Sequence, residues 1–319
     1  MVRGRGDLLD VRGLAVGQAT DLSGRTGVTA VLLDGGAPTV VDVRGGASGT
    51  YDTASLALEA TFGRRWAIFL SGGSLYGLDA ARGVRQRLLE TGRGLRVFDN
   101  PHLLTPISGA VIFDLPAKRG PVPDYGRLGR LAAARAGRRR LEQGRAGAGA
   151  GATVGKYLGR ARGMPGGLGS ASRSLGGGAH VGVLTVVNAV GAIRDPSSGR
   201  WVAGARAADG RVLPPTERPR ARLAGRGTTL AIVATDLRLE RAALARIAAI
   251  AHAGLGRAIV PYLTANDGDC LFAVSTGLRR PPAREPWPAA LADRVGRLAA
   301  DAAVEAVLRA VGPDGPRRR

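Results

Sequence analysis

Apolar residues fall into two patterns along the chain. Short blocks rich in β-branched residues, bounded by glycine or aspartate, predict strands at residues 27–33, 39–44, 66–71, 110–114, 180–190, 200–207, 228–235 and 271–275. Four other segments space apolar side chains near 3.6 residues and predict helices at 74–89, 125–141, 238–253 and 289–311. The last two are rich in alanine, leucine and arginine, each with an apolar stripe to bury. Pro288 stands just before the last, where a helix start tolerates it. Strands and helices in irregular alternation predict an α/β layered domain. Glycine-rich stretches at 144–151 and 163–178 and proline-rich ones at 117–123 and 281–288 read as connectors. The tail from Gly312 reads as a frayed end. No fixed repeat and no interdomain linker interrupts the 319 residues, so one domain is expected.

Composition narrows the class. With 45% hydrophobic and 22% charged residues, the chain is a globular protein and not a disordered one. Cys270 is the only cysteine, so an intrachain disulfide and a cysteine zinc site are excluded. His102, His180 and His252 lie far apart in no metal-binding spacing, and neither a metal nor a cofactor is expected. The N-terminus has no apolar signal region. The longest apolar run, 181–193, is too short to span a bilayer. A cytoplasmic protein with no membrane partner is expected.

The formal charge of +21 could mean a nucleic-acid partner. However, all but two of the 46 basic residues are arginine, beside 50 glycines, which points to a coding bias. Aromatic residues are only 4%, leaving few platforms for base stacking. Dense basic runs are confined to Arg138-Arg139-Arg140 and Arg317-Arg318-Arg319, and nucleic acid is not expected as the main partner.

Three familiar motifs fail on context. Gly147-Ala-Gly-Ala-Gly-Ala152 fits a dinucleotide pattern but follows no strand, and no acidic residue stands about 20 residues on. Gly155-Lys156 lacks the earlier glycine and the following Ser or Thr of a P-loop. Asn266-Asp-Gly-Asp269 lacks the later carboxylates of a calcium loop and reads as a tight turn.

Residues 227–236, Gly-Thr-Thr-Leu-Ala-Ile-Val-Ala-Thr-Asp, form a buried-strand pattern behind a glycine. The blocks around it, in order, are Asp10-Val-Arg-Gly-Leu-Ala-Val-Gly17, Val41-Asp-Val-Arg-Gly-Gly46, Ser71-Gly-Gly-Ser-Leu-Tyr-Gly-Leu-Asp-Ala80 and Gly109-Ala-Val-Ile-Phe-Asp-Leu115. Gly151-Ala-Thr-Val-Gly-Lys156, Gly166-Gly-Leu-Gly-Ser-Ala171, Val187-Asn-Ala-Val-Gly191 and Asp267-Gly-Asp269 complete the set. In this order, over almost the whole chain, they resemble a family of self-cleaving amide hydrolases. Its members are the L-aminopeptidase/D-amidase/esterases, the β-peptidyl aminopeptidases and the endo-type 6-aminohexanoate (nylon) oligomer hydrolases.

The resemblance implies a four-layer α/β/β/α sandwich of the N-terminal-nucleophile type. It also implies a self-made cut between Gly227 and Thr228, giving chains of residues 1–227 and 228–319. Thr228 would then be the nucleophile, Lys156 an active-site lysine and Asn188 the oxyanion donor. Asp267 and Asp269 would hydrogen-bond around the Thr228 amine and hydroxyl. This Asp pair matches the oligomer hydrolases better than the serine-nucleophile aminopeptidases. A tetramer of processed αβ units is implied, acting on a small amide, peptide or oligoamide.

Elementary chemistry agrees. A threonine hydroxyl needs a nearby base. A free α-amine, with an ordinary pKa of about 7.7–8.0, can serve; a peptide nitrogen cannot. An ammonium at Lys156 would favour the neutral, basic form of that amine.

Two positions depart from the family pattern: Phe113, where some members carry tyrosine, and Met164-Pro165, where Lys-Gly is commoner. Cys270 reads as a small buried hydrophobe. Alternatives are an aminopeptidase or β-aminopeptidase specific for small residues, an acyltransferase of the ornithine acetyltransferase kind, and a basic nucleic-acid-binding protein.

Overall fold

The computed structural model describes residues 6–23, 25–99, 101–115, 120–139, 141–215, 226–281 and 288–312. Lys118, Arg140, parts of both proline-rich connectors and residues 313–319 lie outside them. Among the described residues, nine strands are joined by hydrogen bonds: β1 (Leu14–Asp21), β2 (Thr26–Val43), β3 (Gly49–Tyr51), β4 (Arg64–Ser71), β5 (Ile107–Val111), β6 (Gly167–Gly176), β7 (Ala179–Asn188), β8 (Thr228–Leu237) and β9 (Cys270–Arg279). Their order is β3-β5-β4-β2-β9-β8-β7-β6, with β1 also on β2. The helices are α1 (Ala80–Glu90), α2 (Tyr125–Ala134), α3 (Arg241–Ala258) and α4 (Pro288–Val311).

Strand β2 serves two sheets. Its first half pairs with β1 and β4, and residues 39–43 pair with β9. Gly35 and Gly36 between them have φ of +70° and +74°. A Cβ at Gly36 would stand 2.8 Å from the Trp66 ring, so the corner requires glycine.

Burial then separates three slabs of core, and hence four layers. Val84, Leu88, Leu128 and Ala132 of α1 and α2 pack on Ala30, Leu32 and Phe69 of the first sheet. Val31, Ile68 and Leu70 on its other face meet Leu184, Val186, Leu230, Ile232 and Phe272 of the second. The far face of the second sheet, with Val181, Val183, Ala231 and Val233, carries Ile247, Leu255, Val295 and Val307 of α3 and α4. This is the α/β/β/α sandwich. Alternate residues of β8 enter different slabs, as a period of two requires in a strand covered on both faces. Among the described residues, no helix is long and apolar enough to cross a membrane.

Several boundaries differ from the sequence reading. Residues 27–33 and 39–44 belong to one strand turned at the glycine corner, not to two. The 163–178 stretch is largely strand β6. The 74–89 segment opens as a 3-10 turn at Ser74–Asp79, and its helix is α1. Helix α2 stops at Ala134 because Gly137 leaves it to exchange backbone hydrogen bonds with Val16 of β1. The 200–207 segment forms strand only at Trp201–Ala203. Strand β1 gave too little signal to be recognised.

Candidate active site

Thr228 begins β8, which lies between β7 in antiparallel and β9 in parallel pairing. The register sets Thr228 opposite Asn188, the last residue of β7, so their side chains share a face. That face looks into the slab between the two sheets, and the pair stands at its end. Both residues are buried, Asn188 completely.

The bond before Thr228 is tightly held. Gly227 donates its N–H to the Asn266 carbonyl at 3.2 Å. Its own carbonyl accepts the Gly268 N–H at 3.1 Å and the Thr228 hydroxyl. A Cβ at Gly227 would lie 2.2 Å from Asp267 Oδ1 and 2.5 Å from the Val190 nitrogen, so only glycine fits.

Asn188 is oriented from every side. Its Oδ1 accepts the Lys156 ammonium at 3.0 Å and the Thr153 N–H at 3.0 Å. Its Nδ2 donates to the Phe113 carbonyl at 3.1 Å. Lys156 also donates to the Asn188 carbonyl at 2.7 Å. The Met164-Pro165 departure forms a two-residue strand paired with Thr153 and Val154, on the flank of this contact. Thr153 and the Phe113 carbonyl were not singled out in the sequence. Thr153 lies inside a recognised block, whereas a backbone carbonyl leaves no residue signature.

The two aspartates grip the backbone around the nucleophile. Asp267 accepts the Val190 N–H at 3.3 Å and the Thr264 hydroxyl at 2.6 Å. Asp269 accepts the N–H groups of Thr229 and of Leu263, the latter at 3.1 Å. These are the bonds the two aspartates make in the continuous chain. There the Thr228 nitrogen is a peptide N–H, and the hydroxyl is engaged by Gly227.

Electrostatics couples the group. Burial lowers Lys156 to about 7, against the pull of Asp267. Burial raises Asp269 to about 7, with the neighbouring Asp267 adding to the rise. Asp267 is also raised, again first by burial. Lys156 and Asp269, normally fully charged at neutrality, can thus exchange protons there, as catalytic centres require. Cys270 is buried and free, with its thiol pushed up by burial, a core residue and no nucleophile. His252 is bonded to the Tyr262 hydroxyl at 2.8 Å and the Asp42 carbonyl at 3.2 Å.

The structure therefore brings Thr228, Gly227, Lys156, Asn188, Asp267 and Asp269 together. It adds Arg226, whose guanidinium lies 5.6 Å from the centre of the Phe113 ring.

Comparisons with known proteins bear on the family and on the fold. The model of peptidase family S58 matches residues 6–313. An uncharacterized aminopeptidase of Mycobacterium tuberculosis is 38% identical over 305 residues, covering 89% of this chain and 85% of its own. A 6-aminohexanoate-oligomer endohydrolase of Kocuria sp. is 36% identical over 283 residues, covering 84% of this chain and 74% of its own. Among solved structures, the L-aminopeptidase D-Ala-esterase/amidase of Ochrobactrum anthropi superposes with a TM-score of 0.67 at 19% identity, over 97% of this chain and 86% of that one. A Burkholderia sp. β-aminopeptidase gives 0.65 at 20% identity, with the same coverage. These two share the fold, a variant of the Ntn-hydrolase fold. With its family model spanning nearly the whole chain, the protein belongs to peptidase family S58 and is an amide hydrolase.

Proposed function

We propose that the chain is an autoprocessing N-terminal-threonine hydrolase of 6-aminohexanoate oligomers, short peptides or both. The observation that carries this reading is the Gly227–Thr228 bond itself. Its carbonyl is polarised by the Gly268 N–H, and the adjoining hydroxyl sits on the same oxygen. Attack of that hydroxyl on the Gly227 carbonyl carbon forms an ester as the C–N bond breaks. The hydroxyl proton passes to the departing Thr228 nitrogen. Water then hydrolyses the ester, leaving a Gly227 carboxylate and a free Thr228 amine.

In turnover the new amine accepts the hydroxyl proton while the oxygen attacks the substrate amide. It then returns that proton to the leaving amine. The Asn188 amide donates to the developing oxyanion, a contribution of about 3–4 kcal/mol for such a donor. Lys156 orients Asn188 and, as an ammonium, favours the neutral amine. Asp267 and Asp269 hold the loop that carries Gly268 and anchor the backbone beside Thr228. The reading includes a cytoplasmic tetramer of αβ units and needs no metal or cofactor.

The test is the intact mass of the denatured protein. Two chains of 227 and 92 residues are expected, and a single uncut chain from active protein would sink the proposal. Turnover of 6-aminohexanoate oligomers against aminoacyl p-nitroanilides then separates the two substrate classes. The relatives of both kinds support the pair without choosing between them.

A further inference from the structure

We propose that the Phe113 ring forms an acyl-side subsite for a cationic side chain, filled in cis by Arg226 until the chain is cut. This rests on the autoprocessing reading above. It names the substrate class for the same site: peptides with a basic residue immediately before the residue whose carbonyl is attacked.

The argument is one of chemical identity. The ester formed in self-cleavage joins the Gly227 carbonyl to the Thr228 hydroxyl oxygen. A peptide substrate cleaved after an Arg-Gly pair would form the same ester on the same oxygen. Contacts made by Arg226 in the continuous chain are therefore acyl-side contacts that such a substrate can inherit. The one visible contact places a guanidinium over an aromatic face at 5.6 Å, within the range of cation–π attraction.

Two further facts tie this ring to the reacting atoms. The Phe113 carbonyl accepts Asn188 Nδ2 at 3.1 Å, so the residue that carries the ring also orients the oxyanion donor. The Phe113 ring is only half-buried and Arg226 is exposed, so release of the segment ending at Gly227 leaves the ring open to a ligand. Phenylalanine supplies an aromatic face without the competing hydroxyl of tyrosine.

The experiment compares acetyl-Arg-Gly-p-nitroanilide with its neutral isostere acetyl-citrullyl-Gly-p-nitroanilide. Both are assayed on wild type, Phe113→Leu and Phe113→Tyr, each shown by mass to be cut before Thr228. Wild type is expected to favour the arginine substrate about fivefold in kcat/KM. Phe113→Leu should bring the ratio to about one, and Phe113→Tyr should restore it. A cut, active enzyme indifferent to the charge, or one whose preference survives in Phe113→Leu, overturns the subsite alone. So does a cut enzyme inert to both substrates. A wild-type chain that stays uncut overturns the autoprocessing reading and the subsite with it.

Discussion

Thr228 carries the proposed chemistry in one oxygen, and a substitution pair isolates it. Thr228→Ala removes the oxygen and should leave a single uncut chain with no amidase activity. Thr228→Ser keeps it and should still cut. An alanine variant that processes would place the nucleophile elsewhere. The uncut Thr228→Ala chain also makes the buried charges measurable. Asp269 has a folded pKa of about 7 against 3.8 for a free carboxyl, so the folded state favours its protonated form. Stability from this group is complete below pH 4 and is lost as pH rises through about 7. Lys156 runs the other way. Its value falls from 10.5 to about 7, so its contribution is complete above pH 10.5 and is lost as pH falls through about 7. In the Thr228→Ala background, Asp269→Asn should flatten the decline of Tm between pH 4 and 7. An unchanged slope would show that Asp269 is ionised throughout. These residue types were legible in the sequence. Their partners were not, because a backbone carbonyl such as that of Phe113 acquires its role only by tertiary placement.

Among the elements, β6 shows why a glycine-rich segment can be a strand. A Cβ at Gly169 would stand 1.9 Å from the Ala306 carbonyl, and one at Gly167 would stand 2.5 Å from that of Ala310. Helix α4 thus rests almost directly on the backbone of β6, an approach that side chains would block. The composition that looks like a connector is the condition for packing. Gly169→Val should lift α4 from the sheet and destabilise the protein by about 1–3 kcal/mol in urea unfolding. A variant as stable as wild type would mean that the helix does not seat here. The same logic explains β2. Apolar blocks on either side of Gly35 and Gly36 look like two strands, whereas the chain uses the glycines to turn one strand from the first sheet into the second.

Across the whole molecule, the proposed cut would fall at the head of a strand buried along its whole length. Strand β8 would belong to the shorter chain yet pair with β7 of the longer one along its length. Helix α4, also from the shorter chain, shares a core with Val181, Val183 and Val187 of the longer. Burial of this kind does not depend on chain continuity, since apolar surface removed from water contributes alike in one chain or two. Native mass spectrometry should therefore show the two chains bound together, separating only on denaturation. A free chain of 92 residues under native conditions would count against this architecture. The same spectrum reads the number of αβ units, expected to be four.

The sequence alone carries the layered α/β class, the helices α3 and α4, the buried strand behind Gly227, and the six candidate residues that the fold gathers at its head. Period-two and 3.6-residue patterns report local exposure directly, and ordered blocks report kinship. Tertiary structure alone decided that two sheets share one strand and that Gly268 and Phe113 supply the backbone groups of the site. It also decided that Arg226 lies on an aromatic face and that Lys156 and Asp269 meet near neutrality. Each of these depends on atoms far apart in the chain being brought together and stripped of water. Local pattern cannot record that, because it is a property of packing.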